Sequence, residues 1–266
     1  MIRLALRVER AHAEVALAEL LELAPGGVEE VDCGELVEYA VYGPPGELPA
    51  LPDLKAAVGG ALVEVSTTEL ADDWSERWRQ FHVPLVLGDR LAVRPPWEAP
   101  IGTELELVID PAQAFGTGAH ATTRLCLELL LDAPAAGPLL DLGCGSGVLA
   151  IAAAKLGFAP VAAVDFDPLS VEATVANAAV NGVVLDIARC DLRRDPIPQA
   201  PTVVANLLRP LLLDYAARLD EPPGTLIASG LLIGEADDIA HAFAPHGLHE
   251  RDRRARGEWT ALLLTL

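Results

Sequence analysis

From residue 121 onward the sequence alternates short apolar runs with stretches of helical spacing, and this rhythm constrains the fold more than any other feature. The spacing predicts a helix over 122–132, a strand over 138–142 (PLLDL), a helix over 148–156, a strand over 161–165 (VAAVD), a helix over 169–181 and a strand over 183–189. It continues with strand 202–206, helix 209–219, strand 224–229 and helix 234–244, then strands near 247–252 and 258–265. Strands that read as continuous apolar runs, each followed by a helix, are buried on both faces, which specifies a mostly parallel α/β sheet with helices on both sides. The last two strands, joined through Arg253 to Gly257, are expected as an antiparallel hairpin at one edge.

The first 70 residues follow another pattern. Residues 2–8 (IRLALRV) alternate arginine with apolar side chains, as a half-buried strand does, and 11–23 show helical spacing until Pro25-Gly26-Gly27 stops them. Strands are expected at 28–33, 36–42 and 61–67, with a short helix at 50–58. The order βαββαβ predicts a small ferredoxin-like α+β domain over 1–70. Residues 71–110 read as a linker. Asp72 and Asp73 cap a short helix carrying Trp74, Trp78 and Phe81, aromatics that either join the two domains or serve as ordinary core residues. Short strands and turns broken by Pro84, Pro95, Pro96 and Pro100 come next, and the α/β domain takes 111–266.

Composition narrows the function classes. A net charge of −20 repels phosphate and anionic headgroups, so neither direct nucleic-acid binding nor a membrane surface is expected, while a basic partner would be attracted. The same acidity also fits a plain solubility role. Cys33, Cys126, Cys144 and Cys190 form no CxxC pair, which argues against both a zinc site and a disulfide framework. The N-terminus lacks the uninterrupted apolar core of a signal peptide. The most apolar window, Gly145 to Val164, is interrupted by Lys155, Gly157 and Pro160 and reads as a buried helix followed by a buried strand. A cytoplasmic monomer is expected.

The strongest local signal is Asp141-Leu142-Gly143-Cys144-Gly145-Ser146-Gly147, directly after an apolar strand and directly before a helix. A glycine-rich turn at the carboxyl end of the first parallel strand lets backbone approach a ligand closely. Its glycines are spaced GxGxG, one residue short of the dinucleotide fingerprint, which disfavours a pyrophosphate cradle and an oxidoreductase. The next strand ends at Asp165, where a carboxylate can accept two ribose hydroxyls, and Asp167 is a second candidate. Asp191 follows the third strand, within reach of an adenine amino group. Asn206 closes the fourth, where its amide either serves a substrate amine or cofactor, or caps the helix beginning near Arg209. Upstream, Phe115-Gly116-Thr117-Gly118-Ala119-His120-Ala121-Thr122-Thr123 places glycines and hydroxyls ahead of a helix, as a ligand-covering loop or a loop ending in a threonine cap would.

Across nearly its whole length the chain resembles the bacterial methyltransferases that modify ribosomal protein L11 (PrmA). The resemblance is carried by AFGTGAHATTR at 114–124, DLGCGSGVLAIAAAKLG at 141–157, VDFDP at 164–168, NAAVNG at 177–182, VVANLL at 203–208 and GEW at 257–259. It extends to the linker pattern Trp74, Trp78, Phe81, Pro84, Gly88, Leu91, Pro95 and Trp97. It implies a Rossmann-like S-adenosylmethionine-dependent methyltransferase fold and cofactor contacts at Thr123, Gly143, Asp165 and Asn206, with Phe115, Gly116, Thr117, Gly118 and Thr122 around the methyl-donor end. Asp141, Gly145 and Asp191 complete the cofactor set read from the turn and strand ends, and Asn206 is the catalytic candidate. The resemblance further implies a ferredoxin-like domain that grips ribosomal protein L11, methylated at lysine side chains, with its N-terminal amine as a further candidate acceptor. The alternatives are an enzyme of the same fold acting on another protein lysine or a small molecule, and a non-catalytic cofactor-binding assembly protein.

Overall fold

The computed structural model describes residues 2–13, 16, 29–43, 62–69, 83–110 and 120–266. Most of the helix expected at 11–23, the helix at 50–58, Trp74, Trp78 and Phe81, and the segment carrying Phe115, Gly116, Thr117 and Gly118 lie outside the described residues. The chain divides into two compact units, Met1–Phe81 and His82–Leu266.

The first unit holds β1 (Ile2–Glu9), β2 (Glu29–Cys33), β3 (Leu36–Gly43) and β4 (Leu62–Glu69) in one antiparallel sheet of order β2-β3-β1-β4. β3 lies between β1 and β2, and β1 lies between β3 and β4. This is the split arrangement that a ferredoxin-like βαββαβ chain requires. The alternation read in β1 sorts its side chains by face. Leu4, Leu6 and Val8 are buried opposite Val41, Tyr39 and Val37, and the Tyr39 hydroxyl donates to the Ala13 carbonyl at 3.0 Å. On the other face Arg7 stands directly between Glu38 of β3 and Glu64 of β4. Glu38, only 7% exposed, accepts from Arg3 Nη2 at 2.6 Å and from Arg7 Nε at 2.7 Å. The Arg3 hydrogen bond and then Arg7 hold its carboxyl below the usual carboxylate range against the opposing effect of burial.

The second unit is built on a seven-stranded sheet: β8 (Leu139–Leu142), β9 (Val161–Asp165), β10 (Asp186–Arg189), β11 (Thr202–Asn206), β12 (Thr225–Leu232), β13 (His249–Arg256) and β14 (Trp259–Thr265). Their order is β10-β9-β8-β11-β12-β14-β13, parallel from β10 to β12 and antiparallel from β12 through β14 to β13. The expected edge hairpin is present, with β14 inserted next to β12, but Arg253 to Arg256, expected as its connection, belong to β13 and the turn is Gly257-Glu258. Among the described residues five helices, α1 (Ala121–Asp132), α2 (Val148–Leu156), α3 (Pro168–Asn181), α4 (Arg209–Ala217) and α5 (Ala236–Phe243), cover the faces. Successive residues of a strand feed opposite cores: Leu139 packs with Leu125, Leu129 and Ile151, whereas Leu140 packs with Leu212, Ile239 and Phe243.

Residues 83–110 also pack into this unit. β5 (Leu85–Leu87), β6 (Leu91–Arg94) and β7 (Leu105–Val108) form a three-stranded sheet, and Leu91, Leu107 and Ile109 are buried in the same cluster as Leu125 and Ile151. The prolines noted in this stretch punctuate the strands; the alternating apolar residues between them still supply a core face. Other differences from expectation sit at element ends. β10 starts at Asp186 rather than 183, α4 stops at Ala217 rather than 219, and β12 runs to Leu232 after a register shift between Ser229 and Leu231. Gly230 occupies that irregularity, a common meaning of a glycine inside a strand.

Candidate active site at the carboxyl ends of β8, β9 and β11

In the parallel part of the sheet the chain moves outward from β8 to β9 and β10, then returns to β11 and β12 on the other side. The strand order therefore reverses between β8 and β11. In open α/β sheets, ligands bind outside the carboxyl ends of the strands at such a reversal. The glycine turn follows β8, Asp165 ends β9 and Asn206 ends β11, so the topology gathers the principal predicted residues at this one place.

The turn is held largely by its own protein neighbours. Gly143 and Cys144 both donate backbone N–H to the Val164 carbonyl, at 2.8 and 3.0 Å. Gly143 and Gly147 have φ of 73° and 80°; a Cβ at the first would run into the Leu207 side chain, and one at the second would lie 2.7 Å from Thr174 Cγ2. Glycine at these two positions thus answers to backbone sign and tight protein packing as well as to ligand approach. Beneath the turn, Asp141 is 0% exposed. Its Oδ2 accepts from Ala150 N at 3.0 Å, while its buried Oδ1 has no hydrogen-bond partner among the described residues. Burial, and secondarily the charge of Asp165, push its carboxyl up to about 7.

Asp165, 9% exposed, accepts from Gly145 N through Oδ2 at 2.9 Å and from Asp167 N through Oδ1 at 3.0 Å. A carboxylate has about four acceptor positions. Each oxygen therefore keeps capacity for a hydroxyl, as the ribose reading requires. Asp167 has a different task, since its Oδ1 caps α3 by accepting from Leu169 N at 3.0 Å. Between the two aspartates Phe166 is 66% exposed, an apolar ring at the strand end that the sequence reading passed over. Its signal was available: a large aromatic directly after the acidic residue that ends a buried strand. Asp191 is engaged locally, accepting from Arg193 N at 3.0 Å through Oδ1 and pairing with Arg194 at 3.6 Å through Oδ2.

Asn206 is not the cap of α4. That position is Leu208, with no side-chain bond, and the Asn206 amide instead donates toward Thr123 Oγ1 at 3.4 Å. Thr122 and Thr123, in the first turn of α1, are both buried. The cap of α1 is His120 rather than a threonine: its Nδ1 accepts from Thr122 N at 3.4 Å and lies 2.8 Å from Thr122 Oγ1. Burial lowers the His120 pKa, favouring the neutral ring needed for an accepting Nδ1. The ring meets Trp259 edge to face at 4.8 Å and 70°, which gives the terminal GEW stretch a structural task. A separate cavity of about 490 Å³ lies near the amino ends of β11 and β12, lined by Pro196, Gln199, Tyr215, Arg218 and Pro223 among others; no predicted site residue lines it. Among the described residues no group of three His, Cys, Asp or Glu side chains could hold a metal ion, and no helix is long and apolar enough to cross a membrane.

A doubly wound sheet with an antiparallel β14 beside β12, a GxGxG turn after its first parallel strand and an acidic residue closing the next defines a Rossmann-like S-adenosylmethionine-dependent methyltransferase. The residues present fit that cofactor, with two acceptor oxygens at Asp165 and, beside the turn, a buried Asp141 oxygen that has no partner among the described residues. Residues 51–266 match the family model described as ribosomal protein L11 methyltransferase (PrmA), and the chain belongs to that family. Similar proteins include the ribosomal protein L11 methyltransferase of Geobacter metallireducens, 41% identical over 74% of this chain and 67% of the relative. That of Symbiobacterium thermophilum is 39% identical over 72% of this chain and 65% of the relative. The chain thus spans about two thirds of the length of these curated relatives. The crystal structure of the ribosomal protein L11 methylase from Lactobacillus delbrueckii subsp. bulgaricus superposes with a TM-score of 0.62 at 34% identity, covering 68% of this chain and 97% of that one.

Proposed function

We propose that this chain transfers methyl groups from S-adenosylmethionine to amine nitrogens of ribosomal protein L11, at lysine side chains and at the N-terminal α-amine. The observation that carries the reading is the convergence at the β8/β11 reversal of an acceptor carboxylate, Asp165, with an amide, Asn206, aligned on Thr123. Asp165 would hold the ribose hydroxyls, Phe166 would offer an apolar face to the adenine, Asp191 would lie toward its amino group, and Gly143, Gly145 and Asp141 would line the opposite end. The family resemblance assigns Phe115, Gly116, Thr117, Gly118, Thr122 and Thr123 to the methyl-donor end. When bound, the cofactor supplies a sulfonium-activated methyl, so the new N–C bond forms as the S–C bond breaks.

An amine must arrive neutral, because an ammonium has no lone pair to attack with; partial desolvation lowers its pKa from about 10.4. Asn206 orients that nitrogen through its amide oxygen, and alignment supplies most of the rate gain. The N-terminal domain, residues 1–70, would grip the protein substrate, and the net charge of −20 favours a basic one. This reading places the enzyme in the cytoplasm, as a monomer, without direct nucleic-acid contact.

Mass spectrometry of ribosomal protein L11 after incubation with the enzyme and S-adenosylmethionine tests the proposal. Methyl increments on lysine or the α-amine are expected. Increments only on another protein or a small amine would transfer the function to that acceptor, and cofactor binding without methyl transfer to any acceptor would favour an assembly protein.

A further inference from the structure

The NAAVNG stretch at 177–182 carries part of the family resemblance, yet it supplies none of the residues assigned above. In the structure its two asparagines lie four residues apart on α3, and both are tied to backbone. Asn181 embraces one residue of β7: its Oδ1 accepts from Val108 N at 2.9 Å and its Nδ2 donates to Val108 O at 2.7 Å. Asn177, 3% exposed, spans two segments instead. Its Oδ1 accepts from Asp110 N at 3.0 Å, just past β7, and its Nδ2 donates to Ser146 O at 2.9 Å, inside the glycine turn.

Three residues earlier on α3, Thr174 Oγ1 donates to Gly145 O at 2.9 Å and lies 3.3 Å from Cys144 Sγ. Thr174 is fully buried, and its methyl occupies the space a Cβ on Gly147 would need. Two side chains of one helix thus take two successive carbonyls of the turn. A carbonyl held from α3 fixes the orientation of the peptide plane to which it belongs. The Gly145 and Ser146 carbonyls fix the peptides that also carry the Ser146 and Gly147 amides. The Gly145 N–H, one peptide earlier, is directed at Asp165 Oδ2.

We propose that Asn177 is a positioning residue for cofactor binding, its amide linking the Ser146 carbonyl of the glycine turn to the Asp110 N–H so that turn and small sheet are held as one piece, with Thr174 as its partner on the adjoining carbonyl. The proposal rests on the cofactor reading above. Asn181 supplies an internal control. It makes two comparable bonds to the same small sheet, so its loss costs stability of a similar kind, yet it does not touch the turn.

The full chain is compared with Asn177→Ala, Asn181→Ala and Thr174→Val, each studied well below its own Tm. S-adenosylhomocysteine affinity is measured by calorimetry, and amide exchange across 143–150 is measured in the ligand-free protein. Asn177→Ala is expected to weaken binding about tenfold, the loss of one buried hydrogen-bonding partner, and to speed exchange in the turn. Asn181→Ala should stay within about twofold in affinity and leave turn exchange unchanged, even where its Tm falls as far. Thr174→Val keeps the shape and loses the hydroxyl; it should weaken binding about fivefold and provides the decisive comparison with Asn181→Ala if Asn177→Ala does not fold. Equal affinity losses in the Asn181 variant and in the Asn177 and Thr174 variants would overturn the positioning role while leaving the cofactor reading intact. A wild-type chain that binds neither S-adenosylmethionine nor S-adenosylhomocysteine would overturn both.

Discussion

Each unit of this protein buries a carboxylate, and the two are treated in opposite ways. Glu38, on the charged face of the four-stranded sheet of the first unit, sits between Arg3 and Arg7 with both oxygens engaged and its pKa lowered. Asp141, beneath the glycine turn, has one backbone N–H and, among the described residues, no cation, and its pKa is raised to about 7. A buried charge with its partners in place belongs to the folding of its own unit. A buried carboxylate with an unused oxygen costs stability unless another group meets it, and such groups concentrate at functional sites. The contrast separates a region built to be complete from one built to receive.

The largest test of that contrast falls on the receiving side. Asn206→Ala removes the amide at the end of β11 and is expected to lower turnover about 100-fold, the scale of losing one oriented polar group in a reacting site. S-adenosylhomocysteine affinity should change far less, within about threefold, because Asp165 and the turn remain. Steady-state rates beside calorimetry check this, and wild-type turnover in the variant would remove Asn206 from the chemistry.

Asp141→Asn gives the next largest effect and carries a pH signature. A carboxyl whose folded pKa lies above its unfolded value binds more protons when folded, so stability falls as pH rises from about 4 to 7 and levels off above. The amide variant loses that part of the slope. Its ligand-free Tm at pH 8 should equal or exceed the wild type by a few degrees, while cofactor affinity drops roughly tenfold through loss of a charge-assisted hydrogen bond. Thermal scans across pH and parallel titrations measure the two effects. A variant that is less stable at pH 8 and binds as tightly as wild type would make Asp141 an ordinary structural acid.

The same contrast marks what the sequence alone declares. The Arg3–Arg7 alternation, the buried runs at 139–142 and 203–205, and the acid ending β9 are local patterns, and each declares its face or its strand end. Asn206 was legible as a polar residue closing a strand, but not its choice between capping α4 and facing Thr123, since that partner is 83 residues away. His120 as the cap of α1 is local, two residues from the Thr122 N–H it accepts, and was passed over for the threonines beside it; its packing on Trp259 was hidden by distance. So was the Asn177 link from Asp110 to Ser146, in which one side chain joins segments 67 and 31 residues distant. Residues 83–110 read as a connector because prolines interrupt them, although Leu91, Leu107 and Ile109 have the spacing of a core face. Sequence distance, more than residue chemistry, set the limit.

Glu38→Gln is the smallest effect and tests the completed side of the comparison. The substitution keeps shape and one acceptor oxygen but leaves Arg3 and Arg7 without their shared counter-charge. Because both arginines reach solvent, they can rehydrate, and the loss is limited to that of a partly screened pair. Tm at pH 7 is expected to fall by roughly 2–4 °C. A carboxylate with a depressed folded pKa stabilises fully above its unfolded value and loses that contribution as pH falls through the folded one, so the difference between variant and wild type should shrink below about pH 4. Cofactor affinity should not move at all, because the charged face of the four-stranded sheet of the first unit contributes no residue to the turn, Asp165 or Asn206. If Glu38→Gln weakened S-adenosylhomocysteine binding as Asp141→Asn does, the two carboxylates would belong to one coupled system, and the division between a self-sufficient unit and a receiving one would have to be abandoned.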